Sequence, residues 1–212
     1  GFIDAHSHPA GAGLQHLTSV DCDLRSIAAI GDALRTRAAR TPPGEWVLGF
    51  KYDDTKTRER RFLTRADLDA AVPDHPVYVE HRGGHTAFVN SRALAAAGVR
   101  AETPDPPGGR FERDAEGALT GRVLERATEA FERVIPSRIT AEDRRKGVAL
   151  MSQMLARAGV TSVTDAYGDA HALRAYQDAR AAGELHTRVY CMIGYFDIDK
   201  FIAAGVRTGF GD

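Results

Sequence analysis

Apolar and polar positions alternate over residues 2–8, with Phe2, Asp4, His6 and His8 on one face and Ile3, Ala5 and Ser7 on the other, which predicts a short strand. Pro9, followed by Gly11 and Gly13, is expected to end it. A helical apolar period over 24–39 stops at Thr41-Pro42-Pro43-Gly44, and the apolar run 46–50 then reads as a buried strand. The polar, basic run 51–61 reads as a solvated loop, and Thr64 as the cap of a helix through Ala71. Apolar runs at 77–79 and 87–89 flank Gly83-Gly84, the signal of a hairpin. A second hairpin is expected from 110–113 and 118–123 around Asp114-Ala115-Glu116-Gly117, followed by a helix over 124–134.

From residue 140 the pattern becomes regular. Thr140, with Asp143 three residues on, begins a long amphipathic helix over 141–158 that Gly159 closes. A strand at 160–164, a helix opened by Asp169 and ending near Gly183, a strand at 187–193 and a helix at 198–204 follow. Helix and strand alternate at the spacing of parallel βαβ units, and the strand at 2–8 fits the same sheet. The expected division is therefore a first strand at 1–10, a mixed insertion at 11–139 and two further βα units at 140–212. The chain opens on the strand-like Gly1-Phe2-Ile3 and closes on a glycine-containing run, 208–212, that reads as flexible; both suggest a piece of a longer polypeptide.

Composition narrows the function classes. With 212 residues, 43% of them hydrophobic, the chain can bury an ordinary globular core. A formal net charge of -1 supplies no field for nucleic acid or an anionic membrane surface, so neither is an expected partner. No apolar stretch approaches the roughly 20 residues of a membrane helix, and no secretory leader is recognisable, which makes a cytoplasmic location the default expectation. Cys22 and Cys191 form no CxxC pattern and read as small buried apolar groups.

The chemistry-bearing feature is His6-Ser7-His8. A strand places the two imidazoles on one face about 7 Å apart, within reach of one cation at the strand's carboxyl end. Chance spacing of two histidines at a strand edge is the competing reading. Asp4, on the same face, either orients a ligand or satisfies loop amides.

The run Gly1-Phe2-Ile3-Asp4-Ala5-His6-Ser7-His8-Pro9 resembles the first barrel strand of the amidohydrolase superfamily. Runs within 63–69, 76–85, 89–94, 103–109, 117–125 and 159–165 resemble, in order, the YtcJ-like branch called amidohydrolase family 3. The resemblance implies an α/β fold: a partial (β/α)8 TIM-like barrel of strands one to three, with a large mixed α+β insertion after strand one. It implies a divalent metal, zinc above others and one or two ions, held by His6 and His8. Catalytic roles fall to Glu125 and Asp165, and substrate contacts to His85, Asn90 and Asp53. Each has a structural alternative: a turn-capping imidazole for His85, a helix N-cap for Asn90, a helix start for Glu125, a loop cap for Asp165 and an acidic turn for Asp53. His16, His75, His81, His171 and His186 are expected in surface or loop roles.

The family's later ligands, a lysine, two histidines and an aspartate, have no counterpart after the third strand. The implied reaction is hydrolysis of carbon–nitrogen bonds other than peptide bonds by metal-activated water. The implied partner is a small-molecule substrate, and a homo-oligomer is compatible. A folded fragment without catalysis, and a deaminase or phosphotriesterase-like activity, are the competing readings; the insertion motifs argue against the latter two activities.

Overall fold

In the computed structural model, which describes residues 1–207, the chain divides into two units, Gly1–Thr18 with Arg138–Asp212 and, between them, Ser19–Ser137. The run at 208–212, expected to be flexible, lies outside the described residues. In chain order the elements are β1 (Phe2–Ser7), α1 (Pro9–Thr18), β2 (Val20–Asp21), α2 (Ile27–Ala38), β3 (Val47–Tyr52) and α3 (Arg65–Ala71). There follow β4 (Val77–His81), β5 (Thr86–Val89), α4 (Ser91–Ala96), β6 (Gly109–Arg113), β7 (Leu119–Glu125), a 3-10 turn (Arg126–Thr128) and α5 (Glu129–Glu132). The last are α6 (Ala141–Arg157), β8 (Val160–Gly168), α7 (Ala170–Ala181), β9 (Arg188–Ile193) and α8 (Ile198–Ala203).

The first unit carries an open parallel sheet in the order β1-β8-β9. Val148 of α6 and Ala172, Ala175, Tyr176 and Ala179 of α7 form its buried cluster, against which Val189 and Cys191 of β9 pack. The intervening β9 residues, Tyr190 and Met192, are exposed, as the two-residue period of a strand requires when one face is covered. Strand β1 ends at Ser7, before Pro9 as expected, and Pro9, Gly11 and Gly13 then lie in α1. Proline is tolerated in a helix's first turn, where its missing N–H has no partner to lose. Gly13 lets α1 lie directly on α6, because a Cβ there would stand 2.1 Å from the Gly147 carbonyl oxygen. The glycine that reads as a breaker is a contact residue, and the boundary expected at residue 11 falls at Ser19.

The second unit is built on a six-stranded sheet in the order β2-β3-β4-β5-β7-β6. Its first three strands are parallel, joined through α2 and α3, and the rest are antiparallel. Neither sheet closes into a barrel. The mixed insertion thus contains βαβ units of its own. Alternation along the strands separates two cores. Val77, Val79 and Phe88 join Ile30, Leu34 and Leu68 on one face, while Tyr78, Ala87 and Val89 join Leu94, Phe111 and Phe131 on the other.

Both expected hairpins form, at β4–β5 and β6–β7. The helix expected over 124–134 is shorter, a 3-10 turn at Arg126–Thr128 followed by α5 at Glu129–Glu132. Strand β7 runs through Glu125, whose backbone turns to φ 52 and ψ -133, and the helical conformation starts only beyond it. The run 51–61 is anchored at its beginning rather than wholly solvated. Tyr52 belongs to β3, is fully buried, and donates its phenol to the Arg61 carbonyl while accepting from the Leu63 N–H.

Two consequences are measurable. Gly13→Ala must force α1 off α6 and is expected to cost about 1–3 kcal/mol in chemical denaturation, as overpacking does. Thr64 and Asp67 form a reciprocal capping box, and Arg61 grips the same carboxylate. That guanidinium, ahead of the Thr64 bonds, holds Asp67 at about 2 instead of 3.8. The stabilisation is therefore complete above about pH 4 and lost as pH falls through about 2. Asp67→Asn should lower stability near neutral pH, and the difference from the parent chain should vanish in acid titration near pH 2.

Candidate functional site

Parallel pairing sets Ser7 of β1 level with Asp165 of β8, and Asp165 in turn level with Cys191 of β9. Between Asp4 and Ser7, β1 holds one more residue than the matching stretch of β8, a bulge that re-aims the strand end. His6 and His8 remain neighbours despite it, with ring centres 5.5 Å apart and planes nearly perpendicular. Both are exposed. Asp4 accepts from the His6 N–H, so its carboxylate serves a backbone amide.

Asp165 is almost completely buried. Its Oδ2 accepts a 2.6 Å bond from the Tyr176 hydroxyl, and its Oδ1 accepts from the Tyr167 N–H while lying 3.9 Å from His8 Nδ1. Burial, and after it the Asp165 carboxylate, pushes the Tyr176 phenol far above its ordinary range, so it stays protonated and donates. Asp165 thus holds an amide of its own strand, where a cap of the following loop was the alternative expected, and also lies near His8. Burial raises both cysteine thiols to about 12, which removes them as nucleophiles near neutral pH.

This donor set suits a divalent metal. Two imidazoles stand together, and one of them, His8, lies 3.9 Å from a carboxylate that Tyr176 of α7 fixes from behind, as a buried acid placed to orient a ligating histidine does. The Tyr176 hydroxyl has no signal in the sequence beyond its place in the apolar stripe of α7.

In the second unit the strand directions bring several polar groups to one sheet edge. The carboxyl ends of β3, β4 and β7 and the start of β5 all lie there, carrying Asp53 and Asp54, His81 and Arg82, Glu125, and His85 respectively. His85 Nδ1 and Glu125 Oε2 are 3.0 Å apart, and the Glu125 N–H donates to the His85 carbonyl at 2.8 Å. Both side chains are largely exposed, at 76% and 58%. The positive φ of Glu125, 52°, costs a non-glycine residue about 1–3 kcal/mol.

Asp53, Asp54 and His81 have ligand atoms within 4.8 Å of one another, a spacing that could surround a cation. Several of their lone pairs already serve the chain. His81, for which a surface or loop role was expected, closes β4, accepts from the Gly83 N–H and faces Asp54 at 3.3 Å. Asp53 takes two bonds from Thr55 and one from Arg82; the Thr55 hydroxyl contributes most to holding its carboxyl below the usual range.

Asn90 lies at the other end of β5 and is fully buried. Its side chain accepts from the N–H groups of Val77 and Ala93 and donates to the carbonyls of Val72 and His75. All four of its hydrogen-bonding positions are occupied, so it has none for a substrate. It is the N-cap of α4. Tyr176→Phe should leave an Asp165 oxygen without a donor. The expected result is about 1–3 kcal/mol of lost stability and a weaker hold on metal by roughly tenfold or more, read by denaturation and by competition with a chelator.

Comparison with known proteins agrees with this geometry. The profile of the amidohydrolase family matches residues 1–211. The N-substituted formamide deformylase of Arthrobacter pascens is 35% identical over 192 residues, covering 87% of this chain and 35% of that protein. The putative amidohydrolase YtcJ of Bacillus subtilis (strain 168) is 29% identical over 95% of this chain and 39% of its own length. The crystal structure of an uncharacterized metal-dependent hydrolase from Pyrococcus horikoshii OT3 superposes with a TM-score of 0.65 at 26% identity, covering 100% of this chain and 40% of that one. The chain therefore spans about two fifths or less of the length of these relatives. Among the described residues, no helix is long and apolar enough to cross a membrane. With a family match along nearly its whole length and a histidine pair at the carboxyl end of a parallel strand, this chain belongs to the amidohydrolase family.

Proposed function

We propose that this chain is part of a metal-dependent hydrolase of carbon–nitrogen bonds other than peptide bonds, with N-substituted formamides as the substrate class to test first. The observation that carries the reading is the register of β1 against β8, which sets the adjoining imidazoles of His6 and His8 at a strand end where His8 lies 3.9 Å from one buried, hydrogen-bonded carboxylate. Ends of parallel strands are where α/β folds collect their ligands. On this reading β1, β8 and β9 are the first three strands of a (β/α)8 barrel. The name of the Arthrobacter relative supports the bond type, and the description of the Pyrococcus structure supports metal dependence.

His6 and His8 would hold the metal, with zinc the best match to imidazole and carboxylate donors. When bound, it supplies a water that ionises near neutral pH and polarises the carbonyl to be attacked. Asp165, fixed by Tyr176, lies 3.9 Å from His8 Nδ1, where its charge favours a proton on that nitrogen and leaves the other ring nitrogen for the metal. Zinc sites use three or four protein ligands, so further ligands are proposed to come from residues beyond these 212.

Formate release from an N-alkylformamide, measured with zinc supplied to a polypeptide carrying the remaining ligands, tests the reaction. Replacing both histidines, His6→Ala with His8→Ala, should lower it by at least a hundredfold and remove tightly held metal from the purified protein. Turnover that survives the double substitution would overturn the metal assignment.

A further inference from the structure

We propose that a groove within the second unit, where the start of α3, the end of α4 and the start of β7 meet, binds a small organic carboxylate through Arg65 and Arg100. The groove has a volume of about 400 Å³, the small end of the range for ligand pockets. Leu94, Val99 and Leu119 give it an apolar lining that belongs to one of the unit's two cores. Arg65 and Arg100 are the charged residues that line it, and no carboxylate does. The site does not rest on the hydrolase reading.

The roots of both arginine side chains are fixed by the backbone. Gly121, at φ 91, lets β7 press against α3, because a Cβ there would stand 2.9 Å from both the backbone nitrogen and the Cβ of Arg65. Arg100 lies in a turn closed by Thr103, whose hydroxyl accepts the Arg100 N–H at 2.8 Å and whose own N–H donates to the Arg100 carbonyl at 3.0 Å. The heads hold nothing. Arg61, Arg82, Arg92, Arg113 and Arg122 of the same unit each have an acidic partner, whereas among the described residues the guanidiniums of Arg65 and Arg100 have none. Asp69, beside the groove, is taken by the N–H and hydroxyl of Ser91.

Stability does not explain this placement. Arg65 opens α3, where the helix's own N–H groups favour negative charge, and two like charges on one groove repel. A bound anion relieves both effects. A carboxylate matches the guanidinium fork with parallel hydrogen bonds, and the apolar lining suits a short branched carbon chain behind it.

Amide NMR of the 212-residue chain, titrated with 3-methylbutanoate, 3-methylbutanamide or inorganic phosphate, tests the site. The carboxylate should shift the Gly98, Ala101 and Leu119 N–H resonances to saturation and raise the thermal unfolding midpoint. The neutral amide, of the same shape, should do neither. Arg65→Gln and Arg100→Gln should each weaken binding by roughly tenfold, and together abolish it, with ligand-free midpoints no lower than the parent's. No response to the carboxylate, an equal response to the amide, or undiminished binding by the double variant overturns the proposal. Binding of phosphate without the carboxylate overturns the ligand class. Ligand-free midpoints that fall in both single variants would show the guanidiniums to be structural, which overturns it as well.

Discussion

Strand direction is the constraint on which both candidate sites depend. Parallel pairing places the carboxyl ends of neighbouring strands side by side, and whatever residues the chain carries there become neighbours. In the first unit it sets His8 beside Asp165, residues far apart in sequence. In the second unit it sets Asp53 and Asp54 beside His81, and the hairpin that follows returns His85 to the same edge. The antiparallel return of β7 then brings Glu125 to His85. Backbone hydrogen bonding fixes these neighbourhoods, which leaves the side chains free to be polar.

What the sequence made legible was local. The two-residue spacing of His6 and His8, the glycine pair between β4 and β5 and the Thr140–Asp143 capping box each specify their structure within a few residues. The family resemblance extended this to order along the chain. Features set by distant partners stayed hidden. Gly13 is needed because Gly147 crosses it, and nothing near Gly13 encodes that crossing. The helix expected from 124 begins only after Glu125, because the ladder with β5 and the adjoining β6 hairpin hold residues 124 and 125 in a strand. Tyr176 became visible as Asp165's donor only once α7 was laid across β8.

Asn90 and Glu125 show how polarity at a sheet end divides into groups the chain satisfies internally and groups left exposed. Both were candidates from sequence. Asn90 is sealed from solvent, and each of its donors and acceptors serves the chain, so its amide defines how β4, β5 and α4 meet. Glu125 is exposed, holds a strained backbone, and bonds to another exposed group. A buried polar group must be satisfied internally, and one that is satisfied has nothing to offer a ligand. The distinction therefore follows from counting bonds at each atom, and residue type alone does not supply it.

The insertion raises a question of cost, since β1 must find β8 across everything between Ser19 and Ser137. Closing a flexible loop grows more expensive only slowly, by about 0.6 kcal/mol for each doubling of length. The second unit does better than a flexible loop, because its own two buried clusters organise it. An insertion that folds on its own core brings its ends to fixed positions, and the β1–β8 register then closes on pre-ordered chain. The end of the sheet that carries His6, His8 and Asp165 can in this way be assembled from residues on either side of a whole folded unit, and the insertion can vary at its exposed sheet end without disturbing the pairing that places His8 near Asp165.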